Sequence, residues 1–207
     1  MKIGVKDFKT WLTKTHHKLQ ENRQYLTELD QTIGDGDHGI NMERGFRVVV
    51  EKINDTEYDD LQSIVKDIAM TIIANVGGAS GPLYGTAFLR MAPVFSQEKK
   101  VDVKTFVKGL EAALEGIQAR GKAAVGEKTL VDVWAAVIEG MKQKGSFDAD
   151  GLERIAKQSA EKTKELMATK GRAAYFKEKS IGHIDPGAMS SYYLFSSFAE
   201  VIEEKSE

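Results

Sequence analysis

Glycine is concentrated in three places along this chain, and long breaker-free segments lie between them. Gly34, Gly36 and Gly39 crowd the first cluster, Gly77, Gly78, Gly81 and Gly85 the second, and Gly182 and Gly187 flank Pro186 in the third. Only two other prolines occur, Pro82 and Pro93. Such punctuation favours helices joined by glycine-bearing turns. Apolar spacing agrees. Val103, Phe106, Val107, Leu110, Leu114 and Ile117 follow steps of three and four, the period of one helix face. Leu130, Val133, Trp134, Val137, Ile138 and Met141 do the same, as do Leu61, Ile64, Val65, Ile68, Ala69 and Ile72. Phe8, Trp11, Leu12, Thr15 and Leu19 open the chain with a similar stripe. A weaker one runs through Leu152, Ile155, Ala156, Leu166 and Met167, with Asp150 in the N-cap position. Strand patterns are poor, since Val48-Val49-Val50 continues a helical run and no Asp-Gly pair joins alternating segments. The spacing predicts eight helices, over 3–28, 41–54, 60–76, 81–97, 102–121, 129–145, 150–170 and 188–204. Their short connections place sequential helices antiparallel. No linker intervenes, so residues 1–207 are expected to form a single all-α domain.

Charge narrows the function. Lys plus Arg is 29 and Asp plus Glu is 31, a net charge of −2 that gives no broad grip on nucleic acid or an anionic membrane. There is no cysteine, which excludes disulfides, thiolate metal sites and a cysteine nucleophile. His16 and His17 lie within the first helical stripe, and dispersed histidines without cysteine do not make a structural zinc site. The N-terminus lacks an apolar signal region, and no stretch approaches the ~18 apolar residues of a membrane span. The expectation is a soluble cytoplasmic protein.

Three polar loops carry the chemistry. The first runs from Leu29 to Asn41 and holds Asp30, Asp35 and Asp37 among three glycines. Three packed carboxylates repel unless a cation separates them, and Mg²⁺ is commonly held by a few carboxylates with water and phosphate oxygens. The glycines let backbone N–H groups approach an anion, and the helix beginning at Asn41 favours phosphate at its N-terminus. An EF-hand reading from Asp35 fails, because its twelfth position is Phe46 rather than Glu. A plain solvated Asp-Gly turn is the competing reading. The second loop runs from Asn75 to Thr86; Ser80 could cap the next helix or bond a phosphate, but no Gly-Lys-Ser/Thr of a P-loop follows. Alone, it reads as a helix–helix turn. The third runs from Lys170 to Tyr175 and from Gly182 to Ala188. There Arg172 could fork onto phosphate oxygens and Asp185 could accept from a ribose or base; a surface arginine and an Asp-Pro-Gly turn are the alternatives. A fourth loop, from Arg120 to Thr129, either completes a pocket or merely turns the chain.

Taken together, these loops resemble the nucleotide-binding L subunit of dihydroxyacetone kinase, a module that also forms the C-terminal domain of single-chain ATP-dependent dihydroxyacetone kinases. Leu29-Asp30, Ile33 to Gly39, Asn41-Met42 and Arg44-Gly45 are similar to the family's metal loop, and Gly77 to Thr86 to its second motif. Gly126-Glu127-Lys128-Thr129-Leu130 resembles a Gly-Asp-Lys-Thr-Met element with two conservative differences, and Lys170 to Tyr175 and Gly182 to Ala188 match the last. Five motifs occur in family order between Leu29 and Ala188.

The resemblance implies an eight-helix antiparallel up-and-down barrel with the nucleotide site in loops at one end. It implies ADP or ATP with two Mg²⁺ held by Asp30, Asp35 and Asp37. It places nucleotide contacts at His38, Gly39, Ile40, Asn41, Ala79, Ser80, Gly121, Leu130, Arg172, Asp185, Pro186 and Gly187, with Arg172 as the catalytic candidate. Three carboxylates and ADP total about −6, and two Mg²⁺ bring the sum to about −2, so metal is expected to be required for binding. The implied reaction is phosphoryl transfer to dihydroxyacetone held covalently by a histidine of a separate K subunit. At 207 residues the chain has no room for that portion. This points to the phosphotransferase-system branch, in which an M subunit rephosphorylates bound ADP, and to a homodimer or hetero-oligomer. A standalone ATP-dependent subunit, a fatty-acid-kinase relative and a nucleotide-binding regulator are the rivals.

Overall fold

The computed structural model describes residues 1–96 and 98–206. Where the spacing predicts one helix over 3–28 there are two, α1 (Val5–Glu21) and α2 (Arg23–Ile33), separated at Asn22. The Asn22 backbone sits at φ −104° and ψ 14°, and its Nδ2 donates to Lys18 O at 2.8 Å. An asparagine amide that takes a backbone carbonyl competes with helix propagation. The break re-aims the chain, and α2 continues to Ile33, so Asp30 lies in a helix rather than in a loop. Ile3–Gly4 (β1) is not helical either; it pairs antiparallel with Lys100–Val101 (β2). Two-residue strands are too short to show a period of two.

The remaining helices follow the predicted stripes. They are α3 (His38–Asn54), α4 (Leu61–Asn75), α5 (Ser80–Phe95), α6 (Val103–Gly121), α7 (Leu130–Lys144), α8 (Ala149–Lys162) and α9 (Pro186–Glu204). Helix α3 starts at His38 rather than 41. Helix α9 starts at Pro186 rather than 188, because proline suits the first helical position, where its missing N–H has no partner to lose. The predicted end of the α5 stretch at 97 lies outside the described residues. Helix α8 stops at Lys162, short of 170. A 3₁₀ turn (Thr163–Glu165) and a 3₁₀ segment (Arg172–Ser180) follow, the latter kinked at Lys177 with φ +50°. The α8 N-cap is Asp148, not Asp150: its carboxylate accepts from Gly151 N at 3.2 Å.

Packing runs in order. Each helix from α3 to α8 packs on the next, α8 packs on α9, and α1 packs on both α9 and α3, so the contacts close on themselves. Of the 19 residues of α9, 14 are buried, which makes it an interior helix rather than an amphipathic surface one. An aromatic cluster fills the core. The Trp11 ring meets Phe88, Phe106 and Phe198, and Phe106 stacks on Phe198 with centroids 4.5 Å apart. Trp11 Nε1 donates to Leu194 O at 2.7 Å, so its one polar atom is satisfied. Among the described residues no helix is long and apolar enough to cross a membrane.

Candidate functional site

The last turn of α2 and the first of α3 fold the acidic loop back on itself. Asp30 is buried in α2, and its Oδ2 accepts from Asp37 N at 2.9 Å and from His38 N at 3.1 Å. Burial pushes the Asp30 carboxyl up from its ordinary pKa; the two N–H donors oppose that rise, and the Asp35 and Asp37 charges add to it. Gly34 is required here, since a Cβ would lie 2.1 Å from Asp30 Oδ1. Asp37 occupies the N-cap position of α3, yet its carboxylate makes no capping bond. Carboxylate oxygens of Asp30, Asp35 and Asp37 all lie within 4.8 Å of one another. The exposed guanidinium of Arg172 reaches in from the 3₁₀ segment, with Nη2 2.9 Å from Asp35 Oδ2.

A second wall comes from the α4–α5 turn and α3. Gly77 lies against Asn41, where a Cβ would sit 2.4 Å from the Asn41 amide oxygen, and Gly78 has φ +65°. Helix α5 begins after Ala79 without a side-chain cap, and its N-terminus opens on the same space as that of α3, whose first N–H, His38 N, is taken by Asp30. Such ends carry free N–H groups and a partial positive charge. Buried His38 links the two walls: Nδ1 lies 3.2 Å from Ser80 Oγ and Nε2 2.9 Å from Ser190 Oγ. Burial lowers its pKa to about 4, so the ring is neutral at physiological pH. Ser190 continues to Tyr84 Oη at 2.8 Å, Tyr84 to Ser191 Oγ at 2.7 Å, and Ser191 to Trp134 Nε1 at 3.1 Å. The hydroxyls buried on α9 thus serve as partners for groups behind the cleft.

The third wall is the start of α7 and the chain before α9. Thr129 caps α7, accepting from Val131 N at 3.2 Å, while Asp132 accepts from Thr129 N at 2.8 Å. Asp185 caps α9, accepting from Ala188 N at 2.7 Å. Burial raises the Asp185 carboxyl to about 7, although the Ala188 N–H and the Lys128 charge favour its ionised form. Ile33, Leu83, Leu130 and Ala173 give the same space an apolar side.

The three walls enclose a cleft of about 440 Å³. Of the residues singled out from the sequence, Asp30, Asp35, Asp37, His38, Asn41, Ala79, Ser80, Leu130, Arg172, Asp185, Pro186 and Gly187 line it together. Three do not. Gly39 is buried behind it, where a Cβ would meet Arg23 O at 2.1 Å. Ile40 points outward, about half exposed. Gly121 ends α6 and approaches the cleft only through Leu83, whose Cδ2 would lie 3.1 Å from its Cβ. Lys128, Thr129, Lys170 and Tyr84 line the cleft without having been singled out. All four stand inside the quoted motifs, and that adjacency was the only signal available for them.

The donor set suits a hard divalent cation, because it offers three carboxylate oxygens and no sulfur or free imidazole. The uncapped α5 end and the glycine-walled approach suit phosphate. Fold and cleft together define a mostly helical protein whose cleft sets three clustered carboxylates beside an uncapped helix N-terminus. The chain belongs to the DAK2 domain family, whose model matches residues 32–200. It is 47% identical over 190 residues to the Listeria innocua PEP-dependent dihydroxyacetone kinase 1, ADP-binding subunit DhaL, covering 92% of this chain and 93% of that one. It is 48% identical over 192 residues to the Lactococcus lactis PTS-dependent dihydroxyacetone kinase, ADP-binding subunit DhaL, covering 93% and 95%. Over 210 residues it is 37% identical to the Escherichia coli PEP-dependent dihydroxyacetone kinase, ADP-binding subunit DhaL, covering 99% and 100%. Among solved structures, the dihydroxyacetone kinase of C. freundii in complex with AMP-PNP and Mg²⁺ shares the fold with a TM-score of 0.74 at 21% identity. That match covers 93% of this chain, which spans about a third of the other (33%).

Proposed function

We propose that this chain is the ADP-binding subunit of a phosphoenolpyruvate-dependent dihydroxyacetone kinase. It passes a phosphoryl group from Mg²⁺-bound nucleotide to dihydroxyacetone held on a K subunit, and an M subunit of the phosphotransferase system rephosphorylates its ADP. The observation that carries this reading is the meeting of Asp30, Asp35, Asp37 and Arg172 in one cleft with the uncapped N-terminus of α5. The near full-length match to subunits of that name supports it. A cytoplasmic location and assembly as a homodimer or hetero-oligomer go with it. The closed order of helix contacts supports an eight-helix antiparallel barrel within one domain, with α2 the piece set apart at Asn22.

Asp30, Asp35 and Asp37 would hold the two Mg²⁺, which when bound neutralise and polarise the phosphate oxygens. The rest is done by the chain. The α3 and α5 N-termini, with Asn41 and Ser80, receive phosphate. Gly39 and Ile40 in the first turn of α3 and Gly121 at the end of α6 shape the surroundings of that contact rather than line the cleft. Leu83 and Leu130 supply an apolar face for the base. Asp185, Pro186 and Gly187 present an acceptor carboxylate and close backbone to the nucleoside. Arg172 positions the transferring group and offsets its charge, the main contributions a protein makes to phosphoryl transfer.

The protein purified without added nucleotide and then denatured should release ADP in near one-to-one yield, and EDTA treatment before gel filtration should strip it. Asp35→Ala and Asp37→Ala should each be purified empty. Unchanged nucleotide content in both variants overturns the site. Freely exchanging ATP in place of retained ADP would instead mark an ATP-dependent subunit.

A further inference from the structure

Lys128 is a buried lysine that the reaction as described does not use. It is 1% exposed, and its backbone adopts φ +60°, in the left-handed region that a lysine seldom occupies. Its ammonium donates to two backbone carbonyls, Thr163 O and His183 O. These carbonyls mark the two stems of the segment 164–182, where Gly182 N also donates to Lys164 O at 2.7 Å and Asp185 N to Thr163 Oγ1 at 3.0 Å. The segment between the stems carries Arg172, and Ile33, Ala168 and Ala173 form a small apolar cluster apart from the main core. The preceding residue holds the same segment farther out. Glu127 Oε1 accepts from Thr169 Oγ1 at 2.9 Å, and Thr169 N donates to Glu127 O at 3.5 Å. The capped start of α7 therefore grips this segment at its base and again near Arg172. A buried ammonium that donates to two backbone carbonyls, with the Asp185 and Asp132 carboxylates as its nearby charges, still carries a desolvation cost that apolar packing would avoid. Its retention there calls for a role that a methylene chain cannot fill.

We propose that Lys128 is a positioning residue for phosphoryl transfer: it pins both stems of the 164–182 segment to the N-terminus of α7 and so fixes Arg172 beside Asp35. The effect on transfer rests on the function proposed above; the effect on the segment does not.

Lys128→Met keeps an unbranched side chain, one atom shorter, and removes the donors. Limited trypsin digestion of the native variant, read by mass spectrometry, should cut at Lys170, Arg172 and Lys177 at least about tenfold faster than wild type. With partner subunits kcat should fall about tenfold or more, a larger factor than the loss in Mg-ADP affinity. Because the chain has no cysteine, Lys128→Cys can be aminoethylated while unfolded and then refolded, which restores an ammonium near the lysine position. The aminoethylated protein should regain both protease resistance and kcat; the methylthiolated control should regain neither, and this pair decides the matter if Lys128→Met does not fold. Wild-type resistance in Lys128→Met, or equal behaviour of the two modified cysteine proteins, overturns the proposal. So does a fall in kcat without faster cleavage. Wild-type protein that binds no Mg-ADP overturns the proposed function and leaves the cleavage result readable.

Discussion

At Gly34 the volume a side chain would need is already filled by the Asp30 carboxylate. Gly34→Ala should therefore push Asp30 off its two N–H donors, weaken Mg-ADP binding by about tenfold or more, and cost about 1–3 kcal/mol of stability, the range for overpacking; calorimetric titration and urea unfolding measure the two. Asp185 gives a pH dependence. Its folded pKa of about 7 lies above the ordinary 3.8 of an aspartate, so the native state keeps a proton that the unfolded chain releases. Stability from this group is full below about pH 4 and declines as pH rises toward 7. His38 acts with the opposite sign over most of that window, from about pH 4 up to its ordinary value of 6.5, because burial lowers its pKa. Comparison with Asp185→Asn isolates the carboxylate. In Mg²⁺-free buffer the variant should gain stability relative to wild type between pH 4 and 7, seen as converging or crossing melting temperatures. The clustering of the acidic triad was legible in the sequence, since its members lie within eight residues, while their role as metal ligands came only with the resemblance. Lys128 was not, because a lysine beside a threonine reads as solvated until the fold brings two distant carbonyls to it.

The helices were mostly legible because their buried faces recur at three and four residues. The errors fell where side chains compete with the backbone. Asn22 breaks α1 from α2 by taking a carbonyl, although asparagine is tolerated inside helices. Asp148 rather than Asp150 caps α8, and both are good capping residues. The stretch after Lys162 kept apolar residues at helical spacing, but Leu166 and Met167 belong to no helix. Caps also separate stability from function. Thr129→Ala and Asp148→Ala each remove an N-cap, at about 1 kcal/mol. Only Thr129 lines the cleft. Thr129→Ala should weaken Mg-ADP binding as well as lower the melting temperature; Asp148→Ala should lower the melting temperature alone.

Across the whole molecule the cleft is assembled from four separate stretches of chain, and only folding brings Arg172 to Asp35. A ligand that binds this assembled state must stabilise it. Mg-ADP at a hundredfold excess over its dissociation constant should add about 2.7 kcal/mol, or about 5–11 °C in melting temperature for a chain of this size. Excess EDTA should abolish that gain, and scanning calorimetry checks both. One arrangement described above has an optical consequence. The chain contains two tryptophans. Trp11 sits within the aromatic cluster, while Trp134 is joined through Ser191, Tyr84, Ser190 and His38 to Ser80 on the cleft wall. Only one of the two indoles is wired to the place where ligand arrives. In Trp11→Phe protein the remaining emission should report cleft occupancy, and a wavelength shift on adding Mg-ADP would time ligand arrival and departure without an attached dye.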